Sequence, residues 1–146
     1  MKFISFIFKV LLAGTIFLAQ PVKAQDVAQY GIPFTGVPDP SDAVVYQVNM
    51  RSLSSTHDFQ GVISRLDYIK SLGVNVIYLL PIYQIGTLNA FNSPFCVKDY
   101  LTVNPEFGTL ADLQTLIDEA HIRGMAVMLD WVANHTSWDH EWINNK

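Results

Sequence analysis

The sequence predicts an α/β fold with a parallel sheet, and three observations support this prediction. Apolar, strand-like runs alternate with segments of helical periodicity along the chain. Both predicted helices end in a glycine, Gly73 and Gly124, that an apolar run follows at once. The first strand lacks the glycine-rich turn that an open nucleotide-binding sheet normally carries. The alternation therefore indicates helices outside a parallel sheet, and the missing turn favours a (β/α)8 barrel over a doubly wound sheet.

The first half of the fold follows from hydrophobic patterning. Val44–Val48 is the first predicted strand, and Asp58 can cap the helix that comes next. That helix is predicted over Phe59–Leu72, because its apolar residues recur at helical spacing. A second buried strand, Val74–Leu80, is ended by Pro81 and leads into a long loop.

The second half begins with a capping-box-like pattern from Thr109 to Asp112, which opens the second helix. The apolar positions of that helix share one face: Leu110, Leu113, Ile117 and Ala120. The third strand starts at Met125 as an unbroken apolar run, the pattern of a strand buried on both faces. Three strands and two helices are thus predicted.

The length indicates an incomplete barrel. A TIM barrel needs on the order of 250 residues, whereas the sequence has 146. We interpret residues 44–146 as the first βαβαβ portion of a (β/α)8 barrel, truncated after its third strand. Residues 25–43, rich in Pro and Gly, are predicted to form an irregular leader before it.

Composition narrows the possible functions. Half of the residues are hydrophobic and 15% are charged, as in globular proteins rather than disordered ones. The formal net charge is -4 and no Lys/Arg cluster occurs, which argues against a nucleic-acid partner. The single cysteine, Cys96, excludes an internal disulfide framework and is interpreted as a small buried apolar residue.

Residues 1–24 have the features of a secretory signal peptide. Lys2 precedes an apolar segment that Lys9 interrupts, and small residues stand before a cleavage position after Ala24. The apolar run is short for a membrane-spanning helix, so no membrane attachment is expected after cleavage. The expected localisation is therefore secreted or periplasmic.

Polar and aromatic side chains are concentrated where strands are predicted to end. They are Asp130, Asn134 and His135 after the third strand, and Phe95, Asp99 and Tyr100 in the long loop. Parallel strands end at one edge of a sheet, where α/β folds build their sites. Aromatic rings cover the apolar faces of sugars, and carboxylate, amide and imidazole groups bind their hydroxyls. This set favours a carbohydrate ligand. The P-loop, GxGxxG, GxSxG and HExxH motifs are absent, and no organic cofactor is expected.

Asp130-Trp-Val-Ala-Asn134-His135 resembles the first conserved motif of the alpha-amylase family of glycoside hydrolases (family 13), at the end of the third barrel strand. Val45–Arg51 and Leu72–Pro81 look like that family's first and second strands. Ser93–Tyr100 and Asn104–Thr109 resemble the loop before its second helix. Four matches in the right order cover nearly all of the chain after residue 24. The resemblance implies a retaining hydrolase of alpha-glucans such as starch and maltooligosaccharides.

The resemblance also implies a role for each matching residue. His135 would hydrogen-bond a sugar hydroxyl at the cleavage subsite. Phe95 would stack under the sugar, although the family usually has a tyrosine there, so its hydroxyl is lost. Asp130 would orient an arginine beside the nucleophile and would not be the nucleophile itself. Asp99 and Tyr100 would support the loop.

A calcium ion is a possible cofactor under the same resemblance. Asn134 would be a ligand of the structural calcium found in many family members. That site needs six to eight oxygen donors, so others would have to come from elsewhere. The three tryptophans are interpreted as packing residues rather than sugar platforms: Trp131, Trp138 and Trp142.

The carboxylates that would break the bond are not identified in this sequence. Retaining hydrolysis needs two carboxyl groups, which the resembled family takes from its fourth and fifth strands. Asp139 and Glu141 lie past the motif and are not favoured as that pair. The chain alone is therefore expected to be inactive. Three alternatives stay open: a non-catalytic carbohydrate-binding half-barrel, a doubly wound interaction domain, and a family transferase or isomerase such as a trehalose-forming or branching enzyme.

Overall fold

The computed structural model describes residues 33–144. Its strands are β1 (Val45–Val48), β2 (Val76–Leu79), β3 (Tyr83–Ile85), β4 (Val97–Val103) and β5 (Ala126–Leu129). Its helices are α1 (Met50–Leu53), α2 (Phe59–Ile63), α3 (Leu66–Ser71), α4 (Leu110–Ile122) and α5 (Glu141–Asn144), and a 3-10 turn spans Pro40–Asp42. The predicted signal peptide, residues 1–24, and residues 25–32 of the leader lie outside the described residues. Within residues 33–144, every helix is too short or too polar to span a bilayer.

The three strands predicted from the sequence form one parallel sheet with β2 in the middle. Its register places Tyr78 of β2 beside Gln47 of β1 and Met128 of β5. Both outer strands are sheet edges in the described part of the chain, so the barrel is not closed there. The prediction of an incomplete α/β fold with parallel strands is confirmed.

One face of this sheet carries the core. Val48, Ile77 and Leu79 are at most 1% exposed and belong to a cluster with apolar residues of α2, α3 and α4. The opposite face is only partly covered: Val76 is 8% exposed at its start, but Met128 is 45% exposed. The prediction that the third strand is buried on both faces is therefore wrong. Leu129, at the edge, is also 39% exposed, because no described element covers it.

The single helix predicted after Asp58 is two short helices, α2 and α3. The cap itself is confirmed, since Asp58 accepts a 2.8 Å hydrogen bond from the Gly61 N–H. The helix is interrupted because the Ser64 hydroxyl donates to the Gly61 carbonyl at 2.7 Å. The next amide, of Arg65, then donates to Val62 three residues back at 2.9 Å, which tightens the chain into a turn.

Helix α4 begins with the predicted capping box. Thr109 Oγ1 accepts from the Asp112 N–H at 3.2 Å, and Asp112 Oδ2 accepts from the Thr109 N–H at 2.8 Å. Gly124 ends the last turn with a φ of +66°, a conformation that favours glycine. The predicted apolar face is partly wrong, because Leu110 is 63% exposed and Leu116 is buried in its place.

The long loop predicted after β2 contains an antiparallel hairpin of β3 and β4. Its register shifts on both sides of Gln84, and β3 has three residues, so the sequence carries little strand periodicity. Helix α1 was also missed. Asn49 caps it by accepting from the Arg51 N–H at 3.1 Å.

Candidate functional site

Asp130 follows β5 directly and faces the partly covered side of the sheet. Tyr78 of β2 is paired in register with Met128, two residues before Asp130, so all three lie on one face. The Tyr78 hydroxyl donates a 2.6 Å hydrogen bond to Asp130 Oδ2. This bond raises the pKa of the Tyr78 hydroxyl, because ionisation would break it beside a carboxylate. The pKa of Tyr83 is also raised, mainly by burial and to a lesser extent by the negative charge of Asp130.

Sequence analysis missed Tyr78 as a site residue. The alternation of side chains along strands could have identified it, because residues an even number of positions apart in aligned strands share one face of the sheet. The alignment of β2 with β5 is the information that the sequence did not supply.

Tyr100 of β4 holds the backbone of the motif. Its hydroxyl lies 2.6 Å from the carbonyl oxygen of Val132 and 3.1 Å from that of His135. Burial raises the pKa of Tyr100, so its hydroxyl remains a donor. Tyr100 therefore joins β4 to the backbone of the motif.

The side chains of Asn134 and His135 are exposed at the carboxyl end of β5. Asn134 Nδ2 lies 3.2 Å from His135 Nδ1, within hydrogen-bond distance. His135 Nε2 has no hydrogen-bond partner within residues 33–144.

Phe95 and Asp99 lie on the β3–β4 hairpin. Phe95 is 41% exposed just before β4. Asp99 turns its carboxylate back onto its own strand, where it accepts from the Leu101 N–H at 2.8 Å and the Thr102 hydroxyl at 3.0 Å. Its position fits the support of the loop rather than contact with a ligand. Cys96 is half-buried rather than fully buried.

A backbone hydrogen bond joins the hairpin to the motif segment, which we define as residues 130–140. The Ser137 N–H donates to the Val97 carbonyl at 2.8 Å. Phe95 lies two residues before Val97, and His135 lies two residues before Ser137. The structure therefore joins the segment that carries Phe95 to the segment that carries His135.

A cavity of about 680 Å³ opens beside the motif. Its lining includes His135, Asn134, Tyr100, Trp131 and Trp142, but not Phe95 or Asp130. Trp131 and Trp142 are 75% and 62% exposed, so in the described part of the chain they are not packed in a core. Trp142 nevertheless packs against the rings of Tyr100 and His140, with ring centroids 5.8 and 4.4 Å away.

The described residues do not form a calcium site by themselves. Calcium takes six to eight oxygen ligands. Residues 33–144 contain no cluster of three or more His, Cys, Asp or Glu side chains that could hold a metal ion. Asn134 offers one amide oxygen, and its nitrogen already faces His135. The donor set present therefore does not fit the ion.

The sequence model of a protein family, the alpha-amylase catalytic domain, matches residues 41–146. The chain belongs to the alpha-amylase family. Its match to this catalytic domain, and the parallel sheet of β1, β2 and β5, confirm that it is part of a TIM barrel.

Three alpha-amylase family proteins illustrate the likeness. The chain is 44% identical over 107 residues to an oligo-1,6-glucosidase of Halalkalibacterium halodurans, covering 70% of this chain and 18% of that protein. It is 40% identical over 106 residues to the trehalose-6-phosphate hydrolase of Bacillus subtilis, covering 69% and 18%. The crystal structure of an alpha-amylase from Lactobacillus plantarum superposes with a TM-score of 0.68 and 45% identity, covering 71% of this chain and 25% of that one.

The chain thus spans about one fifth of the curated relatives it matches and is a fragment of the catalytic domain. The prediction of a secreted or periplasmic enzyme is wrong. The finding against it is the likeness to an oligo-1,6-glucosidase and a trehalose-6-phosphate hydrolase. That prediction depended on residues 1–24, which lie outside the described residues.

Proposed function

We propose that the complete enzyme containing this chain is a retaining glycoside hydrolase that acts on short alpha-glucosides, including maltooligosaccharides. The observation that carries the proposal is the position of Asp130 and His135. Both follow β5 at the carboxyl end of a parallel sheet, the face at which barrel enzymes carry their active sites. The names of the relatives support alpha-glucosides as the substrate class.

The described residues form one wall of the proposed sugar site. His135 donates or accepts a hydrogen bond with a sugar hydroxyl, and the exposed ring of Phe95 stacks on the sugar. Asp130, held by Tyr78, orients an arginine supplied by a later strand. Tyr100 and Asp99 hold the backbone that carries these groups. Asn134 is retained as a calcium ligand only if later residues complete the site.

The two carboxylates that act on the bond come from later strands of the barrel in this proposal. One attacks the anomeric carbon and the other protonates the leaving oxygen, then activates water. This fragment supplies binding and orientation to that reaction.

The proposal is tested in the complete enzyme with isomaltose, maltotriose, trehalose and soluble starch. Product anomers are followed by NMR, and we expect retained α-anomers from the short substrates. His135→Asn should lower kcat/KM by about 100-fold, because a hydrogen bond to the transition state is lost. His57→Asn is the matched control, since His57 is exposed and its φ of +58° is tolerated by asparagine.

Two outcomes would replace the proposal. Products that keep the number of glycosidic bonds would assign the enzyme as a transferase or isomerase. If the protein binds these sugars but hydrolyses none of them, the carbohydrate-binding half-barrel would be favoured. Equal kcat/KM for His135→Asn and His57→Asn would remove His135 from the site.

A further inference from the structure

Asp139 is a largely buried carboxylate that the proposed sugar site does not use. Its side chain is 16% exposed. Oδ2 accepts hydrogen bonds of 3.0 Å from both the backbone N–H and the hydroxyl of Thr87. Lys98 Nζ lies 3.4 Å from the same oxygen. Thr87 follows β3 by two residues and Lys98 lies in β4, so this one carboxylate contacts both sides of the hairpin.

The hairpin approaches Asp139 closely at Gly86. A Cβ added to Gly86 would overlap Ser137 and Asp139, so the close approach requires glycine. Ser137 is 2% exposed, and its hydroxyl and Asp139 Oδ1 are both buried beside Gly86. The contact between these segments is therefore tight as well as charged.

This contact joins the two segments that carry the proposed sugar-binding residues Phe95 and His135. The Ser137 N–H to Val97 carbonyl bond fixes the same two segments at 2.8 Å. Phe95 and His135 each lie two residues along the chain from that bond. Two extended residues span at most about 7 Å. A shift of the hairpin relative to Asp139 would change the separation of the Phe95 ring and the His135 imidazole.

We propose that Asp139 is a positioning residue that sets the separation of Phe95 and His135 by latching Thr87 and Lys98 of the hairpin onto the motif segment. The proposal rests on the proposed function, because it assigns Phe95 and His135 to one sugar site. Asp139 acts through other residues and does not contact the substrate.

The chemistry of the carboxylate agrees with a fixed anion. Hydrogen bonds from the backbone N–H and the hydroxyl of Thr87 hold the pKa of Asp139 well below its usual range. A carboxylate of this kind does not carry a proton for a leaving group at neutral pH.

The test uses the complete enzyme and three variants. Asp139→Asn removes the charge at constant size, Gly86→Ala wedges the hairpin away, and the double variant combines them. Asp118→Asn is the matched control, since Asp118 is exposed on α4 and has no ion pair within residues 33–144. KM and kcat are measured for isomaltose, and hydrogen exchange is followed in residues 86–97 and 134–140.

A positioning role predicts that Asp139→Asn and Gly86→Ala each raise KM about 10-fold, with a smaller change in kcat. The double variant should be little worse than either single variant, because both break one contact. Exchange should rise in both segments together, while Asp118→Asn leaves all values unchanged.

Two results would overturn the proposal. If exchange rises but KM for isomaltose stays at the wild-type value, Asp139 stabilises the fold without positioning the site. If neither exchange nor KM changes, the latch does not exist in solution. A wild-type enzyme that turns over no alpha-glucoside would refute the proposed function instead, and the exchange data would still decide whether Asp139 joins the two segments.

Discussion

The hydroxyl of Tyr78 donates a 2.6 Å hydrogen bond to Asp130 Oδ2, from the middle strand of the sheet to the end of its edge strand. This bond restricts the carboxylate of the motif on the side of the sheet that faces the barrel interior. Hydrogen bonds to charged groups are worth about 1.5–3 kcal/mol when water cannot replace them. Tyr78 and Asp130 are both partly exposed, so water replaces part of that energy.

Replacing Tyr78 with phenylalanine should release Asp130. We expect a loss of about 1 kcal/mol in the free energy of unfolding of the complete enzyme, and a fall in kcat/KM of about 3- to 10-fold because the carboxylate loses its orientation. Urea unfolding and initial rates on isomaltose measure the two effects. Tyr68→Phe is the control, because Tyr68 is 56% exposed and its hydroxyl has no hydrogen bond within residues 33–144. Equal effects of the two variants would contradict the prediction.

Arg51 binds the loop that carries Phe95 through Asn92. Its Nε and Nη2 donate to the two carboxylate oxygens of Glu106 at 2.7 and 2.6 Å, and its Nη1 donates to the Asn92 carbonyl at 2.7 Å. Asn92 has a φ of +55°, a left-handed conformation that needs support from its surroundings. Arg51 is therefore the tether of a locally strained loop.

Replacing Arg51 with lysine should loosen this loop while keeping the charge. Lysine cannot make the forked contact with Glu106 and also reach Asn92. We expect faster proteolytic cleavage within residues 87–95 and a loss of stability of about 1 kcal/mol, since the ion pair is partly exposed. Arg65→Lys, at an exposed arginine without an ion pair in the described part of the chain, should leave both measurements unchanged. Identical cleavage rates in the two variants would exclude the tether.

The latch at Asp139 also predicts a pH dependence of stability. The folded-state pKa of Asp139 lies below its unfolded value, so its contribution is fully present above about pH 4 and is lost as the pH falls through the lowered pKa. The difference in Tm between the wild-type enzyme and Asp139→Asn should be constant from pH 5 to 8 and shrink below pH 4. Thermal scans across that range measure it. A difference that grows on acidification would have the wrong sign.

How far the sequence predicted the structure depended on the range of the interaction. The capping box of Thr109 and Asp112 spans three residues, and it was found because both partners lie within one helical turn. The break at Ser64 was missed because a serine hydroxyl can bond either to solvent or to the carbonyl of Gly61, and the sequence does not decide between them. Local chemistry was thus mostly, but not fully, predictable.

The site itself was predictable in its residues and not in its contacts. The motif from Asp130 to His135 is contiguous and was recognised. Tyr78 and Thr87, in contrast, each contact a carboxylate 52 positions away, Asp130 and Asp139 respectively. No periodicity in a single sequence reports the register that creates such pairs.

The exposed apolar residues on one face of the sheet lead to a prediction about this chain when it is produced alone. Val45 and Met128 are 48% and 45% exposed on the side that faces the interior of a complete barrel, and β1 and β5 leave open edges in the described structure. Exposed apolar faces and open edges promote association. The isolated chain should therefore aggregate or unfold without a sharp thermal transition, and it should release no reducing sugar from maltotriose. Met128→Lys tests the cause, because a charge on that face should raise solubility without restoring activity. A monomer with a cooperative transition would mean instead that one covered face is sufficient for folding. In that case the remaining strands of the barrel would be needed for catalysis and not for the stability of this part.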